Sequence, residues 1–150
     1  MADYQLTWIT EHLAVGYAPL SFDDMNVIRK AGIGAIVDLC GEYCDLVELE
    51  QATGFEVYFL AVPDGCAPDI EEMEKAFFWL DESIQEGKKV LVHCRFGVGR
   101  TGTFVTAYLM KSGLDMKAAQ KKLKKTRARP VTHAQWKFLR RYRKKLENSL

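Results

Sequence analysis

One stretch of this 150-residue chain combines residue types that together can do chemistry on an anion: Val90-Leu91-Val92-His93-Cys94-Arg95-Phe96-Gly97-Val98-Gly99-Arg100-Thr101-Gly102. It reads as a buried strand, a loop with two glycines, then the start of a helix. A helix N-terminus offers unpaired N–H groups and a partial positive charge, and glycines let the preceding loop curl into a nest of further donors. Arg100 sits where loop meets helix, and its guanidinium can take two oxygens at once. The set suits a phosphate-like dianion, framed by Arg95, Phe96, Gly97, Val98 and Gly99. Cys94 shares these surroundings. A thiol at a helix N-terminus beside a guanidinium is held as thiolate below its free pKa of about 8.5, and a thiolate under a bound phosphoryl group is a nucleophile aimed at phosphorus. The five residues between Cys94 and Arg100 let the loop wrap one tetrahedral anion, with thiolate at the floor and guanidinium at the rim.

These residues need a scaffold, and the hydrophobic pattern supplies one. Two short strands are expected over Gln5–Ile9 and His12–Gly16. A helix follows from Phe22 to Ala31, with Ser21 as N-cap and Gly32 as stop. Ala35–Leu39 is a buried strand, Asp45–Ala52 a short helix, and Glu56–Val62 the next strand. Pro63-Asp64-Gly65 opens a loop. Ile70, Met73, Phe77, Leu80 and Ile84 recur at helical steps and predict a helix over Ile70–Gln85. After the strand Val90–Val92, helices are expected over Thr101–Met110, Met116–Thr126 and Thr132–Leu146. Strands alternating with helices predict a single α/β domain spanning residues 1–150, with a central, mostly parallel sheet flanked by helices. In such sheets ligands bind beyond the carboxyl ends of the strands, where Cys94 lies.

Composition narrows the class. The hydrophobic fraction of 48% and aromatic fraction of 11% fit a folded domain and exclude a disordered one. No apolar run is long enough for a membrane span. The first residues carry no leader pattern, so a cytoplasmic location is expected. Cys40, Cys44, Cys66 and Cys94 then read as free thiols, and they lack the paired spacing of a structural zinc site. Cys40 and Cys44 follow a strand whose end lies on the side of Cys94, so either could form a reversible disulfide with it, or both could be ordinary buried cysteines. Net charge is only +1, but residues 1–87 carry 18 acids against 3 bases while residues 88–150 carry 18 bases against 2 acids. The basic runs Lys121–Lys125 and Arg140–Lys145 have an apolar stripe beneath them (Trp136, Leu139, Tyr142, Leu146). Solvated faces of packed helices account for them without a nucleic acid.

His93-Cys94-(five residues)-Arg100-Thr101-Gly102 resembles the signature of the cysteine-dependent protein tyrosine phosphatases, in particular their compact dual-specificity branch. Val62-Pro63-Asp64 resembles that family's general-acid loop, Leu13–Gly16 its N-terminal strand, and Arg129-Pro130 with Gln135 the stretch after its catalytic helix. The resemblance implies a phosphomonoester hydrolase working through a cysteinyl-phosphate without metal or organic cofactor. It implies Asp64 as the acid, Thr101 as a donor to the Cys94 sulfur, His93 as a residue that orients the loop, and Gln135 as one that positions water or substrate. It implies a phosphorylated protein or peptide as substrate; the sequence does not set the oligomeric state, and a monomer is the expectation.

Plainer alternatives stand beside these roles. Pro-Asp-Gly is a good turn in any protein, and Asp69 is a nearby rival acid. Thr101 could simply open its helix, and His93 could be a satisfied buried histidine. His12 and His133 read as surface residues. The same chemistry could act on a phosphoinositide or an RNA 5′-phosphate, although the loop holds Arg95 and no lysine. A phosphate-binding module without turnover, or a rhodanese-type sulfur transferase, fits less well.

Overall fold

The computed structural model describes residues 3–43 and 45–149. Its elements in chain order are β1 (Thr7–Trp8), β2 (Leu13–Tyr17), α1 (Phe22–Lys30), β3 (Ile33–Cys40), α2 (Leu46–Ala52), β4 (Glu56–Val62), α3 (Ile70–Gln85), β5 (Lys89–Cys94), α4 (Gly99–Lys111), α5 (Met116–Leu123) and α6 (His133–Asn148). The strands form one mixed sheet in the order β1-β2-β5-β3-β4. β2, β5, β3 and β4 are parallel, and the two-residue β1 adds an antiparallel edge. The α/β fold with a largely parallel sheet is therefore as expected, with small shifts at element ends. β1 keeps two of its five expected residues, because only Thr7 and Trp8 find partners in β2.

Alternation along the strands makes two cores. Leu13, Val15, Ala35, Val37, Val90 and Val92 face α3, α4, α5 and α6, where Phe77, Phe104, Phe138 and Tyr142 lie. Ala14, Ile36 and Leu91 face the other layer with Met25 and Ile28 of α1 and Leu46 of α2. The same two-residue period sends Cys94 toward α4 and its strand neighbour His93 toward α2. α4 is apolar almost all round and is buried along its length, as a helix enclosed by sheet and helices must be. α5 and α6 pack on it through Ala119, Leu123, Phe138, Leu139 and Tyr142, leaving their lysines and arginines outside.

Helix ends follow local chemistry. Ser21 caps α1 by accepting from Asp24 N at 3.0 Å. Asp69 caps α3 in the same way through Glu72 N. α5 stops three residues before the expected Thr126, whose hydroxyl donates to Leu123 O at 2.8 Å and accepts from Ala128 N at 2.9 Å. That turn starts the return of residues 127–129 toward the loop after β5.

Candidate active site

β5 delivers Cys94 to the end of the sheet, and α4 starts five residues later at Gly99. Val98 stands at the N-cap of α4 without a side-chain cap bond, so no capping side chain competes for the first N–H groups of this helix. The loop fits only because two positions have no side chain. Gly97 has φ +73°, and a Cβ there would lie 2.6 Å from Gly16 O. A Cβ on Gly102 would lie 2.2 Å from Arg129 N, whose own N–H donates to Val98 O at 3.1 Å. Arg127 adds a clasp from the same segment, donating to Phe96 O at 2.9 Å.

Cys94 is buried in this ring. Burial alone would push its thiol up, but the Thr101 hydroxyl and the N–H groups of Thr101, Val98 and Gly97 outweigh it and hold the thiol below its ordinary value. The Thr101 hydroxyl is buried and has no hydrogen-bond partner on another residue by distance and angle, so its proton is free to turn to the sulfur.

Arg100 is buried against a carboxylate the sequence reading missed. Its Nη1 and Nη2 donate to Glu42 Oε1 and Oε2 at 2.6 and 2.7 Å, and Nη1 also donates to Val62 O at 2.9 Å. This fork fixes the guanidinium plane and draws Glu42 down to about 2, through the Arg100 hydrogen bond first. A signal for Glu42 existed. Parallel strands end on one side, so the turn after β3 had to lie beside the turn after β5.

Asp64 lies across the cavity, 82% exposed, with Oδ1 3.8 Å from Arg100 Nη2. Its rival Asp69 is engaged as the α3 cap. The Asp64 loop is tied to the N-terminus of α6, where Thr132 Oγ1 donates to Gly65 O at 2.7 Å and Gln135 Nε2 to Cys66 O at 3.2 Å. Gln135 also completes a capping box with Thr132. Phe96, Val98, Gly99 and Gln135 line a cavity of about 450 Å³ together with Cys94, Arg100 and Asp64. Phe96 and Val131, 57% and 55% exposed, form its apolar mouth. The other two expected binding residues do not line this cavity. Gly97 lines a neighbouring groove with Lys125 and Arg127. Arg95 lies between the rings of Tyr43 and Phe96, 5.6 and 4.8 Å from their centroids. Cys40, Cys66 and Cys94 are free thiols; Cys44 lies outside the described residues.

Behind the loop, His93 is fully buried. Its Nε2 is 2.7 Å from Glu50 Oε2 and 3.8 Å from Asp38 Oδ2, and its Nδ1 is 3.2 Å from Cys94 O. Among the described residues, Asp38, Glu50 and His93 form the only group spaced for a metal ion. A metal would need the lone pair of Nε2, which at 2.7 Å from a carboxylate oxygen is spaced for a shared proton instead. The sequence offered one hint: Asp38 is a lone charge inside an apolar strand.

With this geometry in place, comparison with known proteins decides the family. Residues 16–114 match the family model for the polymorphic toxin system DSP-PTPase phosphatase. The chain belongs to this phosphatase family. The phosphatase Tk-PTP, solved in its active form, is 30% identical, with 93% of this chain and 96% of that chain aligned at a TM-score of 0.82. The phosphatidylglycerophosphate phosphatase PTPMT2 of Arabidopsis thaliana is 29% identical over 136 residues, 86% of this chain and 59% of the plant protein. The chain thus spans well under two thirds of that relative. PTPMT1, solved in complex with PI(5)P, shares the fold with a TM-score of 0.82 at 20% identity over 96% of this chain and 97% of that one. No helix among the described residues of this DSP-PTPase is long and apolar enough to cross a membrane.

Proposed function

We propose that this chain hydrolyses phosphomonoesters with Cys94 as nucleophile. The observation that carries this reading is a thiol held below its ordinary value at an uncapped helix N-terminus, facing one cavity with Arg100 and Asp64. The phosphoryl oxygens sit against the loop N–H groups and the Arg100 guanidinium, which Glu42 and Val62 O keep in plane. Cys94 thiolate attacks phosphorus; the S–P bond forms as the P–O bond to the leaving group breaks. Asp64 gives its carboxyl proton to the departing oxygen. Water then attacks phosphorus, Asp64 takes the proton from that water, and the S–P bond breaks to release phosphate. The Thr101 hydroxyl stabilises the returning thiolate. Gln135 holds the Asp64 loop against α6 and lines the path of the water. Side chains and water suffice for every step.

The substrate we favour is a phosphorylated protein or peptide, met as phosphotyrosine, because Phe96 and Val131 place apolar surface where an aryl ring would enter. A phospholipid headgroup is the second reading. It is favoured by Arg95, Lys125 and Arg127 beside the loop and by the names of PTPMT2 and of the PI(5)P complex. A soluble, cytoplasmic single domain is consistent with the free thiols.

Turnover of p-nitrophenyl phosphate, phosphotyrosine and phosphothreonine peptides, phosphatidylglycerophosphate vesicles and RNA 5′-triphosphate tests both points. The expected result is metal-independent turnover, fastest on the phosphotyrosine peptide and abolished by Cys94→Ser. Full turnover by Cys94→Ser would overturn the mechanism, and binding without turnover would leave a phosphate-binding module.

A further inference from the structure

The cluster behind the loop has a charge imbalance that its geometry resolves. Asp38, Glu50 and His93 are each without solvent contact. They come from three elements, β3, α2 and β5, and Asp38 and His93 are register partners on adjacent strands, so strand alternation points both at α2. His93 faces an oxygen acceptor at each ring nitrogen: a carboxylate at Nε2 and the Cys94 carbonyl at Nδ1. With Glu50 Oε2 as an unprotonated oxygen, a ring that faces two acceptors carries two protons, which makes it an imidazolium. Two ionised carboxylates around one imidazolium would still leave a net negative charge away from solvent, which is costly.

The remaining oxygens show where a further proton goes. Asp38 Oδ1 accepts from Cys40 N at 2.8 Å, and Glu50 Oε2 meets His93. Asp38 Oδ2 and Glu50 Oε1 are buried without partners. Oxygens of the two carboxyls lie within 4.8 Å of one another, and one orphaned oxygen on each is what a single proton between them satisfies, as donor on one side and acceptor on the other. We propose that Asp38 and Glu50 share one proton and thereby hold His93 as an imidazolium beneath the catalytic loop, making both carboxyls positioning residues for Cys94.

The other groups facing this site do not disturb the count. β2 presents Gly16 opposite His93, α1 presents Met25 and Ile28 to the same layer, and the Cys94 thiol points to the other face. Tyr4, which feels Glu50, is a neutral phenol that donates to Tyr17 O; burial first, then Tyr17, keeps it well above the ordinary tyrosine range, and the Cys40 thiol, which feels Asp38, is pushed up to about 12 by burial first and is neutral. Burial raises Asp38, and the Glu50 and Asp38 carboxylates raise His93 against the opposing effect of burial, in line with the shared proton. A cation fixed one peptide away from Cys94 favours the thiolate and the incoming dianion. Loss of the shared proton adds a negative charge on that side and reverses both effects.

The inference rests on Cys94 as nucleophile, but its first test does not. Nitrogen-15 shifts of the His93 ring and carbon-13 shifts of the Asp38 carboxyl are recorded in the unmodified protein from pH 5 to 9. Expected are imidazolium shifts at His93 through pH 7 and an Asp38 carboxyl that titrates above pH 6. A neutral His93 at pH 7 overturns the proposal whether or not any variant folds. The second test measures kcat/KM and iodoacetamide alkylation of Cys94 against pH. Glu50→Gln removes the charge but keeps a hydrogen-bonding side chain, and is expected to move the alkylation midpoint up by about one pH unit and lower kcat/KM at pH 6 about tenfold. Asp38→Asn keeps the acceptor for Cys40 N, supplies a permanent N–H toward Glu50, and is expected to move the alkaline limb upward. Folded variants with unaltered pH profiles overturn the proposal. Loss of turnover in Cys94→Ser with His93 still reading as imidazolium keeps the two assignments apart. Retained turnover there strikes the nucleophile and not the proton count.

Discussion

Two carboxylate–cation contacts flank the catalytic loop, and they differ in one respect that decides how each behaves. Glu42 meets Arg100 at the cavity wall with its own side chain 34% exposed. Glu50 meets His93 with neither side chain exposed. At the wall, water reaches Glu42, so the carboxylate can be uncovered at little cost while substrate takes its place on the buried guanidinium. In the interior no water can replace a lost partner, so the contact holds its charges or changes its protonation. The first arrangement suits a guanidinium that must exchange neighbours during turnover. The second suits a fixed field behind the loop.

The largest break in that comparison comes from removing the cation at the wall. Arg100→Ala is expected to lower kcat/KM on p-nitrophenyl phosphate by roughly 10³-fold, since two donors to the phosphoryl oxygens disappear together. Circular dichroism should show a folded protein, because Glu42 can then be solvated. In the interior the order is reversed. Glu50→Ala strands His93 and Asp38, and is expected to cost about 3 kcal/mol of stability, or roughly 10 °C in thermal midpoint. A midpoint within 2 °C of the parent would mean that the buried contact carries no more than the exposed one.

The sequence made one of these regions far more legible than the other. Cys94 and Arg100 share one loop, so spacing alone placed them together. β4 and α3 were found at their observed bounds because a continuous β-branched and aromatic run and a strong helical period leave little choice. α4 was placed two residues late because it opens on Gly99 and Arg100, which read as loop. Glu42 is 58 residues from Arg100, and Glu50 is 43 from His93. Such pairings are set by strand order, and local pattern carries no record of strand order. The shared end of parallel strands pointed toward Glu42, and Asp38, charged within an apolar strand, marked the place behind the loop where a partner had to arrive.

The pH dependence of stability separates the two contacts by sign. Glu42 is lowered from 4.5 to about 2 when folded, so its contribution is present above pH 4.5 and fades as pH falls toward 2. His93 is raised from 6.5 to about 9, so its contribution is complete below pH 6.5 and is lost as pH rises through 9. Asp38 is raised from 3.8 to about 7 and acts in the same direction, fading between those values as pH rises. Thermal melts across pH should therefore show an alkaline decline that Glu50→Gln flattens and Glu42→Gln leaves in place. An alkaline limb identical in all three proteins would sink the assignment.

The smallest effect isolates what Glu42 does. Glu42→Gln keeps an oxygen for one Arg100 N–H and removes the second, along with the charge. Stability should move by less than about 1 kcal/mol, because the carboxylate is partly in water already. Activity should fall about tenfold, mostly in kcat, because the guanidinium loses its bidentate alignment while Val62 O still holds Nη1. If KM rises instead and kcat holds, Glu42 acts on the charge of the pocket and not on the plane of Arg100. The two causes differ again in salt: a charge effect fades as ionic strength rises, whereas a lost alignment persists.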